Sequence, residues 1–375
     1  MRTAMPRPLM TRANCTTQSR SIPYTDSKRL MRRKSLMAMG LVGLTSLLMA
    51  CGNKSASFDL LAEDATFSQS AAEVNGKIDV LWVIDNSGSM ATSQQALVDN
   101  FQSFINRFDA NGFDYQIAVT VTDAYKDDYN ATNLSEFRSG IPGTSNSGYK
   151  IITPSTPDKQ SVFVTNAKQG INGSGDERAF QSIRSALNNP LNGGFPRSDA
   201  FLAIIVVSDE DDSSWDGSSA IGYTTNDPRL HTPESYVTYL DGKTNSTAQN
   251  RRYNVSSIAV IDSTCGNALG GRPVASRYRA LTELTNGRLG SLCDNFGTTL
   301  ASISNKIIEL STQFYLDREP APGTLRIFVN GVEIFENSTN GYSYNASTNS
   351  VSFHGSAVPP AGAQIRVTYD PIALR

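Results

Sequence analysis

Ile78-Asp79-Val80-Leu81-Trp82-Val83-Ile84-Asp85-Asn86-Ser87-Gly88-Ser89-Met90 begins as a strand and ends as a loop. Residues 78–84 are almost continuously apolar and rich in β-branched side chains. That is the composition of a strand buried on both faces of a parallel sheet. Residues 85–90 switch to short polar side chains around a glycine, which ends the strand. The switch leaves one carboxylate and two hydroxyls at the strand's carboxyl end. A second run of the same kind, residues 200–207 (Ala-Phe-Leu-Ala-Ile-Ile-Val-Val), ends in Ser208-Asp209-Glu210-Asp211-Asp212.

Outward from these two runs, strands and helices alternate. Leu97, Val98, Phe101, Phe104, Ile105 and Phe108 recur at helical spacing and predict a helix over 93–110. A strand follows at 115–122. Ala179, Ile183 and Leu187 predict a helix over 176–187. Strands at 255–261 and 288–292 and helices at 278–284 and 296–310 complete the series. This alternation predicts an α/β fold, a doubly wound and mostly parallel sheet, over residues 76–315. Residues 211–250 read as a polar insertion with a short helix near 234–240. After Pro320-Ala321-Pro322-Gly323 the apolar period becomes two, at 324–329, 350–354 and 364–369. Asn330-Gly331 is a strong hairpin signal. A small C-terminal all-β domain is expected at 320–372, with Phe328, Phe335, Tyr342, Tyr344, Phe353 and Tyr369 in its core rather than on a sugar-stacking face.

The N-terminal end reads as an address. Arg32-Arg33-Lys34 precedes a short, mostly apolar stretch that ends in Leu48-Met49-Ala50-Cys51. This looks like a bacterial lipoprotein signal over residues 1–51, cut after Ala50 so that Cys51 carries lipid and anchors the chain to a membrane. Residues 1–30 are polar and lie upstream of Met31; they are expected to be a start-site artefact. Gly52, not Asp, follows the cysteine, as in lipoproteins sent to the outer membrane. Residues 52–75 read as a flexible tether.

Composition excludes several classes. Residues 1–50 carry a net charge of +8 and the remainder −10. An acidic mature chain is not expected to bind nucleic acid. It has no phosphate-binding glycine loop, so no nucleotide partner is expected. The two histidines, His231 and His354, exclude a three-His zinc site by number. No apolar run reaches the roughly 18–20 residues of a membrane span. There is no Gly-x-Ser-x-Gly elbow. Ser147-Gly148-Tyr149-Lys150 matches a bare Ser-x-x-Lys pattern, but on a turn entering a strand rather than on a helix. Cys265 and Cys293 are expected to form a disulfide in an exported chain. A metal or catalytic pair is the alternative, although the spacing fits no zinc motif.

In doubly wound sheets, ligands bind beyond the carboxyl ends of the strands, where the strand order reverses. Asp85 and Asp209 then face one crevice, with the Ser87 and Ser89 hydroxyls beside them. An all-oxygen set of this kind suits a hard divalent cation: Mg²⁺, Ca²⁺ or Mn²⁺.

The constellation resembles the metal-ion-dependent adhesion site of von Willebrand factor A-type domains. Asp85, Ser87 and Ser89 meet that family's Asp-x-Ser-x-Ser motif, and Asp209 matches its second aspartate. The resemblance covers 76–315. It implies a Rossmann-like fold and a threonine from a glycine-rich loop. In Gly173-Ser174-Gly175-Asp176-Glu177-Arg178-Ala179, Ser174 falls at that place; Asp176 is the alternative ligand. It further implies a protein that holds Mg²⁺ and captures the acidic side chain of a protein partner, not an enzyme. The order of lipobox, this domain, acidic strand end, cysteine pair and short β module is similar to a group of bacterial lipoproteins. A structural envelope-assembly lipoprotein with a merely bracing or degenerate site is the runner-up. A metal-dependent hydrolase comes last.

Glu210, Asp211 and Asp212, with Asp176 nearby, allow a second cation such as Ca²⁺; a solvated acidic loop is the preferred expectation. Asp123, Asp127 and Asp128 are expected mainly at the surface, at most as a rim. One outcome tests the N-terminal reading. Mass spectrometry of the purified protein should find Cys51 lipid-modified and first in the chain, with no lipid on Cys51→Ala, and peptide mapping of the precursor should find nothing from residues 1–30.

Overall fold

Strand pairing places the pieces. The structure is a computed structural model, and it describes residues 67–130, 133–221 and 227–372. In chain order the strands are β1 (Phe67–Glu73), β2 (Lys77–Ile84), β3 (Asp114–Val121), β4 (Ile151–Ile152), β5 (Phe201–Val207), β6 (Tyr253–Ala259) and β7 (Leu289–Ser291). Then come β8 (Phe314–Tyr315), β9 (Arg326–Val329), β10 (Val332–Ile334), β11 (Tyr342–Asn345), β12 (Ser350–Phe353) and β13 (Gln364–Tyr369). The helices are α1 (Ala91–Ala110), α2 (Lys159–Ala167), α3 (Ala179–Asn188), α4 (Pro233–Thr244), α5 (Ser263–Ala268), α6 (Ser276–Leu284) and α7 (Phe296–Ser311). The expected lipobox, Cys51 and most of the expected tether lie outside the described residues.

Six strands form one sheet in the order β4-β3-β2-β5-β6-β7, parallel except for β4. This is the doubly wound α/β fold. The order reverses between β2 and β5. Alternate residues of β2 point to opposite faces, as the two-residue period of a strand requires. Ile78, Val80, Trp82 and Ile84 enter a core shared with α1, α2 and α7, including Phe101, Phe104, Phe163, Leu300 and Ile303. Leu81 and Val83 enter a second core with Phe180, Ile183, Leu240, Tyr278 and Leu281 from α3, α4 and α6. Trp82 is fully buried, edge-on to Phe104 and Phe163.

The described elements match the apolar periods closely, with instructive exceptions. Helix α3 starts at Ala179 rather than 176, because 176–178 are held in a loop by side chains. Helix α2 escapes the pattern because it is short and carries Val162 and Val164; Phe163, stacked on Phe101 at 3.7 Å between centroids, holds it.

Two antiparallel sheets, β1-β13-β9-β10 and β11-β12-β8, enclose the small C-terminal core of Ile327, Val351, Phe353, Ile365, Val367 and Tyr369. The Asn330-Gly331 hairpin is present, with Val329 opposite Val332 and positive φ at both turn residues. Two expectations are corrected, for residues 67–73 and for Phe335. Residues 67–73, expected within the tether, are a strand; backbone pairing with β13 decides this where side-chain pattern does not. The residues at 320–323 are pinned to the end of β13 by the Ala321 amide on the Asp370 carbonyl at 2.6 Å. Phe335, expected in the core, is 72 % exposed, and Phe328 lies under the Arg366 guanidinium at 3.9 Å.

Cys265 and Cys293 form a disulfide that ties α5 to the segment after β7. Closing a loop of this size contributes about 3–4 kcal/mol by chain entropy. The double variant Cys265→Ser/Cys293→Ser should lose about that much in denaturant unfolding; an unchanged midpoint and slope would show that the bridge adds nothing.

Candidate metal centre

Strands β2 and β5 run side by side and in parallel, with Ile84 opposite Val207. The ladder extends one bond further, from the Asp85 amide to the Val207 carbonyl at 3.0 Å. Beyond that bond the two chains diverge, and Asp85 and Asp209 emerge from neighbouring strand ends. One Asp85 carboxylate oxygen accepts the Ser87 amide at 2.7 Å, and the other accepts the Ser208 hydroxyl at 2.7 Å. Ser89 donates its hydroxyl to Asp209 at 3.0 Å, and the Ser87 and Ser89 oxygens lie 3.4 Å apart. Gln94, one turn into α1, donates to the carbonyls of Asp85 and Gly170, both at 2.8 Å. The loop 85–89 is thereby locked onto the helix that follows it.

A third loop docks on the first. The Gly173 amide donates to the Asn86 carbonyl at 2.7 Å. A Cβ at Gly173 would come within 2.5 Å of the Asn86 side chain, so a larger residue cannot make this approach. Asp123 bridges the same two loops, accepting from the Ser174 amide at 3.1 Å and the Asn86 amide group at 3.4 Å, and pairs with Lys126 at 2.7 Å. Ser174 thus lies on the loop beside the site, its hydroxyl accepting the Asp176 amide at 3.1 Å. Asp85, Ser87, Ser89 and Asp209 form one connected set, with the Ser174 loop against it.

The remaining acidic residues go elsewhere. Asp176 pairs with Arg178 at 2.7 Å and accepts the Ser213 hydroxyl at 2.7 Å. Asp211 accepts the backbone amides of Arg277 and Tyr278, at the start of α6. Asp212 accepts the Phe180 amide at the start of α3 and the Ser214 hydroxyl. Helix amino termini carry unpaired amides and positive partial charge, which explains why buried aspartates settle there. Glu210 pairs with Arg272. Glu210, Asp211 and Asp212 are therefore buried, not a solvated loop as expected. Among the described residues, no group of three or more His, Cys, Asp or Glu converges as a metal cluster. Asp123 is also buried rather than at the surface, while Asp127 and Asp128 accept from Ser135 and Ser185.

Burial raises four carboxyls, Asp79, Asp85, Glu177 and Asp211, and the effect is large at Asp85 and Glu177. Burial raises Asp85 to about 6, with the Asp209 charge adding to the effect and the hydrogen bonds opposing it. Glu177 is 1 % exposed, and a side-chain contact from Thr122 offsets only part of the cost of its burial. Burial first, then the Asp85 charge, holds it well above the usual carboxylate range. Sequence reasoning passed over Glu177, which looks like an ordinary residue before a helix; nothing in the local pattern marks its burial. Hard oxygen donors and incompletely compensated buried carboxylates fit a divalent cation.

No protein-family model matches the chain, and no curated protein matches it. Among solved structures, it is similar to the pilus adhesin SpaC from Lactobacillus rhamnosus GG in its open conformation. The match has 10 % identity and a TM-score of 0.38, and covers 80 % of this chain and 39 % of that one. It is also similar to the ArnB paralog VWA2 from Sulfolobus acidocaldarius, at 11 % identity, TM-score 0.31 and 80 % and 59 % coverage. The pilus adhesin RrgA from Streptococcus pneumoniae matches at 10 % identity, TM-score 0.30 and 81 % and 58 % coverage. The chain spans about two fifths to three fifths of the length of these proteins.

The raised Asp85 value has a definite sign. With a folded value near 6 against 3.8 unfolded, the native state binds more protons between those values. Stability in chelator therefore falls as pH rises through this window. Asp85→Asn should match the wild type near pH 4 and exceed it by about 2–3 kcal/mol at pH 7. Equal denaturation midpoints at pH 7 would show that the fold already compensates the charge.

Proposed function

We propose that this chain is an exported, lipid-anchored binding protein that captures an acidic side chain of a protein partner through a divalent cation, Mg²⁺ first, with Ca²⁺ and Mn²⁺ as alternatives. One observation carries the reading. Two buried carboxylates from adjacent parallel strand ends, Asp85 and Asp209, are linked through Ser87 and Ser89 at the reversal point of the sheet: Ser87 donates its amide to Asp85, Ser89 its hydroxyl to Asp209, and the two serine oxygens lie 3.4 Å apart. Asp85 and Asp209 supply negative charge, Ser87 and Ser89 supply neutral oxygens, and Ser174 stands on the third loop. When bound, the ion supplies a coordination position for a partner's carboxylate. The hydroxyls at the site lie against carboxylates rather than a histidine, which favours binding over catalysis. Anchoring through Cys51, with the outer membrane as destination, belongs to the same proposal. Among the described residues no helix is long and apolar enough to cross a membrane.

A second reading has its own support. Ser89 and Arg272 already engage both oxygens of Asp209, as a site of purely bracing or degenerate character would. In that reading, envelope assembly runs through other surfaces, such as the exposed Val332 and Phe335. Deleting the β module cannot separate the two readings, because β13 is the hydrogen-bonded partner of β1. A point variant can. In calorimetric titration of the full chain, Mg²⁺ should bind the wild type, and Asp85→Ala should weaken binding at least about a hundredfold, as loss of a charged ligand does. Partner capture that persists in chelator or in Asp85→Ala would refute cation-mediated capture.

A further inference from the structure

Arg272 sits where the site would least be expected to carry a positive charge. Its Nε lies 3.1 Å from Asp209 Oδ2, and its Nη1 pairs with Glu210. The side chain is 28 % exposed while the two carboxylates it touches are nearly buried. The contact is built rather than incidental. The Gly271 and Arg272 amides both donate to the Gly266 carbonyl, at 2.9 and 3.0 Å. A Cβ at Gly266 would meet the Arg272 carbonyl oxygen at 2.3 Å, so glycine is required for the fold-back. Gly266 follows Cys265, whose disulfide fastens α5 to the segment after β7. The guanidinium is thus delivered to Asp209 on a short, covalently fastened turn.

We propose that Arg272 is a resident counter-cation of this site, which competes with the divalent ion for Asp209 and sets how much free cation the site requires before it is filled. The proposal rests on the cation-binding reading above and adds its regulation. Asp209 has two oxygens; Ser89 takes one and Arg272 the other. A divalent ion at Asp209 must share the carboxylate with a guanidinium or displace it, against like-charge repulsion at short range. The ion pair is held at 3.1 Å on a nearly buried carboxylate, so the charge is not displaced at negligible cost. Asp123 on the neighbouring loop is answered separately by Lys126, so the charge at Asp209 falls to Arg272. The consequence is a threshold: the site is quiet at low free cation and responds when the ion is abundant.

The test is titration of Mg²⁺ and Mn²⁺ alone into the full chain and into Arg272→Gln and Arg272→Lys, with near-ultraviolet circular dichroism to check folding. Removing the charge should tighten both ions roughly tenfold or more, while the lysine variant stays within about threefold of wild type. A wild type that binds nothing beside an Arg272→Gln that binds would support the proposal in its strongest form. Wild-type binding with an unchanged or weaker Arg272→Gln would overturn it and leave the cation site standing. Silence in both proteins would overturn the proposal together with the reading beneath it. If Arg272→Gln does not fold, the wild type decides. The Arg272 Nε–H resonance should move on saturation with Mg²⁺, and an unmoved resonance would overturn the proposal.

Discussion

Parallel pairing of β2 with β5, in the register that sets Ile84 opposite Val207, brings Asp85 and Asp209 out of the sheet side by side. Much of the surrounding structure makes that juxtaposition tolerable. Two like charges at a buried edge repel, and desolvation adds to the cost. The Ser87 amide, the Ser208 and Ser89 hydroxyls and the Arg272 guanidinium each offset part of it. Gln94 and Asp123 hold the flanking loops so that the donors stay aimed. What is left uncompensated shows in the raised Asp85 and in Glu177, which lies buried within reach of the Asp85 charge. That stability cost is localised to a few atoms.

The polar stretch after β5 follows a different rule. Few apolar side chains are available to bury there, so charged groups organise it. Arg178 is fully buried, paired with Asp176, stacked over Tyr125 at 4.4 Å, and bonded to the carbonyls of Gly217 and Ser219 at 2.6 and 2.9 Å. Asp211 and Asp212 close the amino termini of α6 and α3. Carboxylates and a guanidinium at helix ends and loop carbonyls thus do what a hydrophobic patch does elsewhere. A missing partner in such a network leaves a buried charge, so substitutions here should be costlier than the loop's composition suggests.

The doubly wound sheet was legible because its strands carry a period that only a two-faced core explains, and because Asp85, Ser87, Ser89 and Asp209 sit at the ends of those strands. The local sequence reports burial on regular elements, where residue spacing and side-chain direction are linked. It does not report contacts made across the fold by polar side chains. The pairing of Asp176 with Arg178 is a polar side-chain contact, and nothing in the local pattern marks it. Asp211 and Asp212 read as solvated until two helix termini, far away in sequence, proved to be their partners. Glu177 and Arg272 lay hidden for the same reason. Strand β1 was missed because pairing with a distant strand, not its own pattern, fixes it.

That pairing joins Phe67 to Tyr369, nearly the two ends of the described chain. Loop-closure entropy and contact order make such a contact slow to form. A chain made from its amino terminus exposes β1 long before β13 exists, and an open strand edge pairs readily with the wrong partner. The α/β sheet between them can close on its own neighbours first. Folding is then expected to end at the first described strand: β1 is committed last, when β13 arrives to cover it.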